Sequence, residues 1–216
     1  MMKDFGLLRR ARAAGFHILI SSVVVVAAAI LVFGLWYPGQ YRIWAGGREL
    51  FYLVTGVDFI LGPLLTFAVF KPQKGWPVLR RDLAIIGLIQ LSALMYGVYT
   101  VFLARPVAMV FEKDRFRVIS AAQVHLTELE KAPAAYRRLP LGGPWLLGTR
   151  DPDEADSNDA LFLALGGVDR AQRPLLWQPY LASVSAALAR APEFDSYARK
   201  SLISLTWHLK RAPTRG

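Results

Sequence analysis

Residues 50–70 read LFYLVTGVDFILGPLLTFAVF. The stretch is apolar nearly throughout, yet Asp58, Gly62 and Pro63 stand near its middle, between Thr55 and Thr66. As a helix it would extend about 30 Å, the hydrocarbon thickness of a bilayer. Either the carboxylate and the helix breaker disqualify it as a membrane span, or they have a purpose inside one. The flanking sequence decides between these readings.

Upstream, FHILISSVVVVAAAILVFGLW (residues 16–36) contains no charged residue and is long enough to cross a bilayer. Ser21 and Ser22 can return their hydroxyls to carbonyls of the preceding turn, so they cost little there. Downstream, LAIIGLIQLSALMYGVYTVFLA (residues 83–104) is a third such run. The basic residues alternate between its flanks. Lys3, Arg9, Arg10 and Arg12 precede the first run, only Arg42 and Arg48 separate the first from the second, and Lys71, Lys74, Arg80 and Arg81 separate the second from the third. By the positive-inside rule the N-terminus and the 71–82 loop are cytoplasmic, and the 37–49 loop and all that follows Arg105 lie on the far side. That side is the periplasm if the host is a Gram-negative bacterium. Trp36, Tyr37, Tyr41 and Trp44 are expected to form an outer aromatic belt at headgroup level. The basic start suits a signal peptide, but the apolar core is too long and WYPGQYR follows it instead of a small-residue cleavage site, so a retained anchor is predicted.

Composition agrees with this division. The net charge of +10 is concentrated in residues 1–105, which hold 11 basic and 4 acidic side chains, mostly flanking apolar runs. Topology signals account for that charge, and no nucleic-acid partner is expected. The chain has no cysteine, which excludes disulfides, thiolate catalysis and cysteine-ligated metals.

Residues 106–216 form a second domain, large enough for one small core. Val107–Phe111 and Phe116–Ile119 are predicted strands of a β-hairpin around the polar turn Glu112–Arg115. Helices are predicted over AAQVHLTELEKA, DEADSNDALFLALGG, QPYLASVSAALARA and DSYARKSLISLTWHLKRA, with a third short strand in GGPWLLGTR. The fold class is therefore a membrane protein: three transmembrane α-helices over 1–105, then a small α+β periplasmic domain with a β-hairpin over 106–216.

No catalytic constellation emerges. His17, His125 and His208 lack partners at metal-ligand spacing, and no nucleophile elbow, phosphate loop or dinucleotide fingerprint is present. DPDEADSND (151–159) fails as a calcium loop, because Asp156 stands where glycine is required. No cofactor, metal or enzymatic activity is expected.

What remains distinctive lies in the second span. A carboxylate at mid-membrane costs a few kcal/mol and needs protein or water to face. At 100° per residue, Thr55, Asp58, Gly62 and Thr66 fall on one stripe, and Gly87, Gln90, Ala93 and Gly97 make a similar face on the third span. Small and polar residues in a stripe allow close helix approach. Pro63 removes the backbone bond to the Phe59 carbonyl and loosens the helix beside Asp58. Depth suggests an internal partner: Asp58 is about 18 Å above the inner end of its span, Tyr96 about 20 Å and Gln90 about 10 Å above the inner end of theirs. Tyr96 is thus the expected donor to Asp58 if Asp58 faces inward; the other possibility is that it faces a partner.

The stretches KDFGLLRRARAAGFHILIS, FGLWYPGQYR, GGRELFYLVTGVDFILGPLLTFAVF, RRDLAIIGLIQLSALMYGVYTVFLARPVAMVFEKDRFRVISAAQV and LFLALGGVDRAQRPLLWQPY, in this order, resemble the TfpX/TfpZ (FimB-like) family of type IV pilin accessory proteins. The likeness runs to about Tyr180. It implies a bacterial inner-membrane protein that binds a type IV pilin and aids pilus assembly without catalysis. The family supplies no residue-level binding site. The physical candidates are Thr55, Asp58, Gly62, Pro63 and Thr66, supported by Gln90 and Tyr96.

Overall fold

A computed structural model describes residues 2–71 and 73–190. The chain divides into two compact units, Met1–Arg105 and Pro106–Gly216.

In the first unit, three apolar helices are each long enough to cross a membrane. Helix α1 (Met2–Leu31) ends in a widened π turn, Val32–Trp36, closed by the Tyr37 N–H on the Val32 carbonyl at 2.8 Å. A single turn, α2 (Tyr41–Trp44), leads to α3 (Gly47–Val69), and α4 (Trp76–Leu103) follows. Gly46 takes φ +67° before α3, a conformation that glycine adopts without strain. Pro77 sits in the first turn of α4, where its missing N–H costs nothing. The outward faces are apolar: Val23, Ile30, Leu53 and Leu88 are each 65–69% exposed. Only a lipid environment makes such faces tenable, and there the backbone must close its own hydrogen bonds, as these helices do.

Helix α3 packs on both α1 and α4. Its buried positions are Gly47, Phe51, Thr55, Gly62, Pro63 and Thr66, which include three of the four residues of the stripe read from the sequence, whereas the fourth, Asp58, is only partly buried. The helix continues unbroken through Pro63. Gly97 of α4 lies so close to Val54 of α3 that an added Cβ would overlap the Val54 side chain. Ser22 returns its hydroxyl to the Ile18 carbonyl at 2.8 Å, as expected.

The expected aromatic belt is only half realised. Trp44 is exposed, but Trp36 and Tyr37 are buried in a cluster with Val32, Phe51 and Val101. The π turn rotates them inward. Trp36 then meets Phe102 with ring centroids 5.1 Å apart, and the Tyr37 hydroxyl donates to the Val101 carbonyl at 3.2 Å. The Tyr37 ring occupies the space a side chain at Gly47 would need. Packing outcompeted the interface for these two rings.

The second unit is built on a four-stranded mixed sheet in which, counting along the chain, the second strand lies at one edge, followed by the first, the third and the fourth. Strands β1 (Pro106–Glu112) and β2 (Arg115–Ser120) form the antiparallel hairpin, turning at Lys113, which has φ 52°. Strand β3 (Trp145–Thr149) runs parallel to β1, and β4 (Trp177–Pro179) antiparallel to β3. Central β1 is buried on both faces, which explains its near-continuous apolar run. Ala108 and Val110 join Ile119, Leu147 and Trp177 in one cluster, while Phe111 packs with Tyr180 and Ala187 in another. Helix α5 (Glu154–Leu165) and helix α6 (Val184–Arg190) complete the described elements.

Two predicted helices fare differently. Residues 121–132 are not α-helical but form two 3-10 turns, Ala121–Gln123 and Leu126–Lys131. Between them the His125 N–H bonds the Gln172 carbonyl at 2.8 Å, so a tertiary bond replaces a helical one. In QPYLASVSAALARA the first residues join β4 and a 3-10 turn, and α-helix begins only at Val184. Here pairing with β3 overrides helix propensity, and the Trp177 indole N–H anchors the segment to the Ala171 carbonyl at 2.9 Å. The predicted helix DSYARKSLISLTWHLKRA lies outside the described residues.

Candidate functional site

The polar residues of the first unit meet in the interior of the helix bundle. Helix α1 contributes His17 and Ser21, α3 contributes Asp58, Gly62 and Thr66, and α4 contributes Gly87 and Gln90. Thr66 Oγ1 and His17 Nδ1 share a hydrogen bond at 2.8 Å. Gln90 Nε2 donates to the backbone carbonyl of Asp58 at 3.2 Å. Gly62 makes both bonds possible: a Cβ there would overlap the Gln90 amide and lie 2.7 Å from His17 Nε2. Thr55 bonds within its own helix, to the Phe51 carbonyl at 2.8 Å. In lipid no hydrophobic drive holds helices together, so small residues and interhelical hydrogen bonds set their register. Two such bonds tie α1 to α3 and α4 to α3.

Thr55, Gly62, Pro63 and Thr66 are therefore buried against the chain's own helices. Asp58 differs. Its side chain is half-buried, makes no hydrogen bond or ion pair with any described residue, and lines a cavity of about 300 Å³. The rest of the cavity wall is largely apolar, with Ile20, Val24, Phe59, Leu91 and Leu94. Gln90 reaches the backbone of Asp58, not its carboxylate.

The expected Tyr96 donor is not there. Tyr96 is 74% exposed on the outer face of α4. Depth matched, but azimuth did not: six residues from Gln90 at 100° each carry Tyr96 two-thirds of a turn away, whereas Gly97 returns to the inner face. Gln90, though nearer the end of its own span, meets α3 because the helices differ in length and offset. His17 was missed as part of the site. The available signal was its face: His17, Ser21, Ala28 and Val32 share one stripe of α1, which ends in buried Val32.

In the second unit, Glu112, Lys113, Asp169, Arg170 and Arg173 line a polar cavity of about 400 Å³. Its charges are largely engaged locally. Arg173 is buried on Glu128 at 2.6 Å, Arg117 bridges Asp169 and Glu112, and Arg170 pairs with Asp151. Burial raises the hydroxyl pKa of Tyr136 and of Tyr180. No cluster of three or more metal-ligating acids and imidazoles occurs among the described residues.

These features define a class: a three-helix membrane protein with interhelical hydrogen bonds inside its bundle, a single unpaired intramembrane carboxylate among the described acids of its spans, and a small α+β domain appended. Residues 5–46 match the family described as "Fimbrial assembly protein FimB". The chain is 43% identical over 207 residues to the fimbrial assembly protein, serogroup E1, of Dichelobacter nodosus, covering 94% of this chain and 80% of that one. It is 43% identical over 171 residues to the serogroup I protein of the same organism, covering 79% of this chain and 66% of that one. The chain belongs to the fimbrial assembly protein family. No solved structure matches it.

Proposed function

We propose that this protein is a non-enzymatic accessory factor of pilus assembly, a chaperone that holds a type IV pilin subunit at the bacterial inner membrane before polymerisation. Family membership supports the role in assembly. The observation that carries the pilin reading is Asp58, whose carboxylate opens into a largely apolar cavity among α1, α3 and α4 and has no hydrogen-bond or ion-pair partner among the described residues. An unpaired carboxylate is costly in an apolar medium, and a cationic or hydrogen-bond-donating group from outside relieves that cost. The membrane helix of a pilin meets the requirement, through its free N-terminal amine or a polar side chain. The cavity accepts side chains of a docked helix, not the helix itself, whose diameter is about 10 Å. The alternation of basic residues gives a cytoplasmic N-terminus and a periplasmic second unit, which would then lie on the side of the pilin head.

Detergent extraction from the native host and pull-down of the tagged chain tests this directly. Wild-type protein is expected to recover the major pilin. Asp58→Leu should recover about 5–30-fold less, the equivalent of the 1–2 kcal/mol of an intramembrane hydrogen bond. Pilin recovery at wild-type yield from Asp58→Leu would sink the assignment of the site. Comparing the whole chain with residues 1–105 then shows which unit carries the affinity.

A further inference from the structure

A second groove opens at the end of the bundle that bears the chain's N-terminus. It has a volume of about 590 Å³ and lies among α1, α3 and α4. Its floor is the hydrogen-bonded pair His17–Thr66, and its walls include Phe16, Phe70, Trp76 and Leu83. The charged residues lining it are both cations, Arg9 and Arg12, one helical turn apart on α1. Arg12 is exposed and makes no hydrogen bond or ion pair with a described residue. Asp82, near the start of α4, is taken by Lys74 at 2.6 Å.

We propose that this groove binds an anionic phospholipid, with the phosphate held by Arg9 and Arg12 and the upper acyl chain laid against Phe16, Phe70 and Leu83. Depth fits the headgroup region. Arg12 precedes the uncharged run that begins at Phe16 by four residues, about 6 Å along the helix. Exposed Trp76 stands at the mouth, where an indole is favoured at the membrane interface. Guanidinium groups suit phosphate because their N–H donors are arranged as a fork. Basic pockets between membrane helices recognise acidic headgroups in this way. A charged mouth on an apolar groove suits an amphiphile better than a free anion, which would leave the aromatic wall uncovered, or a neutral lipid, which would leave Arg12 unanswered.

The full-length protein is reconstituted in nanodiscs of phosphatidylcholine doped with phosphatidylglycerol, and retained lipid is quantified by native mass spectrometry after transfer to detergent. Wild-type protein is expected to retain phosphatidylglycerol in preference to phosphatidylcholine. The double variant R9Q/R12Q, which keeps Lys3 and Arg10 as topology signals, should bind it roughly 30-fold more weakly, from about fivefold per cation near an anionic surface. Leu83→Trp, which fills the groove and leaves both arginines in place, should also lose retention. A thermal-shift arm with inorganic phosphate should show no stabilisation, whereas phosphatidylglycerol raises the melting temperature of wild type only. Equal retention of the two lipids by wild type, undiminished retention by R9Q/R12Q or by Leu83→Trp, or stabilisation by phosphate alone overturns the proposal.

Discussion

Replacing Gly97 by alanine tests the packing that creates the bundle interior. The added methyl would overlap Cγ1 of Val54, with Cγ2 at 3.2 Å and Cβ at 3.3 Å. A flexible side chain could swing aside, but valine in a helix has one strongly preferred rotamer, so α3 and α4 must separate or Val54 must strain. Overpacking of this kind costs about 1–3 kcal/mol. Glycine-to-alanine in a helix returns roughly 0.5–1 kcal/mol. The net expectation is destabilisation of about 0.5–2 kcal/mol, measured as the midpoint shift in detergent-unfolding titrations of the full chain. Val54→Ala removes the obstacle, so Gly97→Ala should cost little in that background, and the two changes should show a coupling energy of about 0.5–3 kcal/mol. If Gly97→Ala proves neutral or stabilising, or if the two costs simply add, α3 and α4 do not meet at this pair and the interior described above is misplaced.

Two further outcomes are expected. Glu128→Ala strands Arg173, which is 2% exposed and bonded to Glu128 at 2.6 and 2.8 Å, and should destabilise the second unit by about 3–5 kcal/mol. The paired change to leucine and methionine should be close to neutral, as read by the fluorescence of Trp145 and Trp177 in the same core during thermal melts. Burial pushes the Tyr37 hydroxyl up to about 12, against the opposing positive charge of Arg105. A raised folded pKa means that the stabilisation is complete below the unfolded value near 10 and is lost as pH climbs from there toward 12. Melting temperature should therefore fall steeply above pH 10, and Tyr37→Phe should flatten that slope while losing about 1 kcal/mol at neutral pH with its bond to Val101.

The sequence made the three spans, the hairpin, β3 and α5 legible because each has a local signature: an unbroken apolar run, strand periodicity around a polar turn, or acids before an apolar helix with glycine after it. What it hid is tertiary. Strand β4 is only three residues long and exists through its pairing with Leu147–Thr149. The turns at 121–131 exist because His125 bonds across to Gln172. Within the membrane, the stripe Thr55–Thr66 was legible as a close-approach face, but a stripe does not name its neighbour. Tyr96 matches Asp58 in height along the bundle, but helix rotation places Gln90 inside and Tyr96 outside. His17 looked like an edge residue because its value depends on Thr66, 49 positions away.

The same geometry separates residues that build the bundle from the one that the bundle does not need. Gly62 admits Gln90 and His17, Thr66 binds His17, and Gln90 binds the Asp58 backbone. An apolar side chain at position 58 would leave every one of these contacts intact, since the carboxylate takes part in none of them. Burying an acid in an apolar wall works against stability, and nothing within the described helices offsets it. The internal bonds instead hold Asp58 facing the cavity between α1 and α4, because Gln90 grips its own carbonyl and so fixes the rotation of α3 at that turn. A rigid frame presenting a costly, unanswered carboxylate is what a docking site for a donor-bearing helix requires. On this argument Asp58→Leu leaves the detergent-unfolding midpoint unchanged or raises it while pilin recovery falls, whereas Gln90→Leu lowers both, and a fall in stability for Asp58→Leu would return the carboxylate to a structural role.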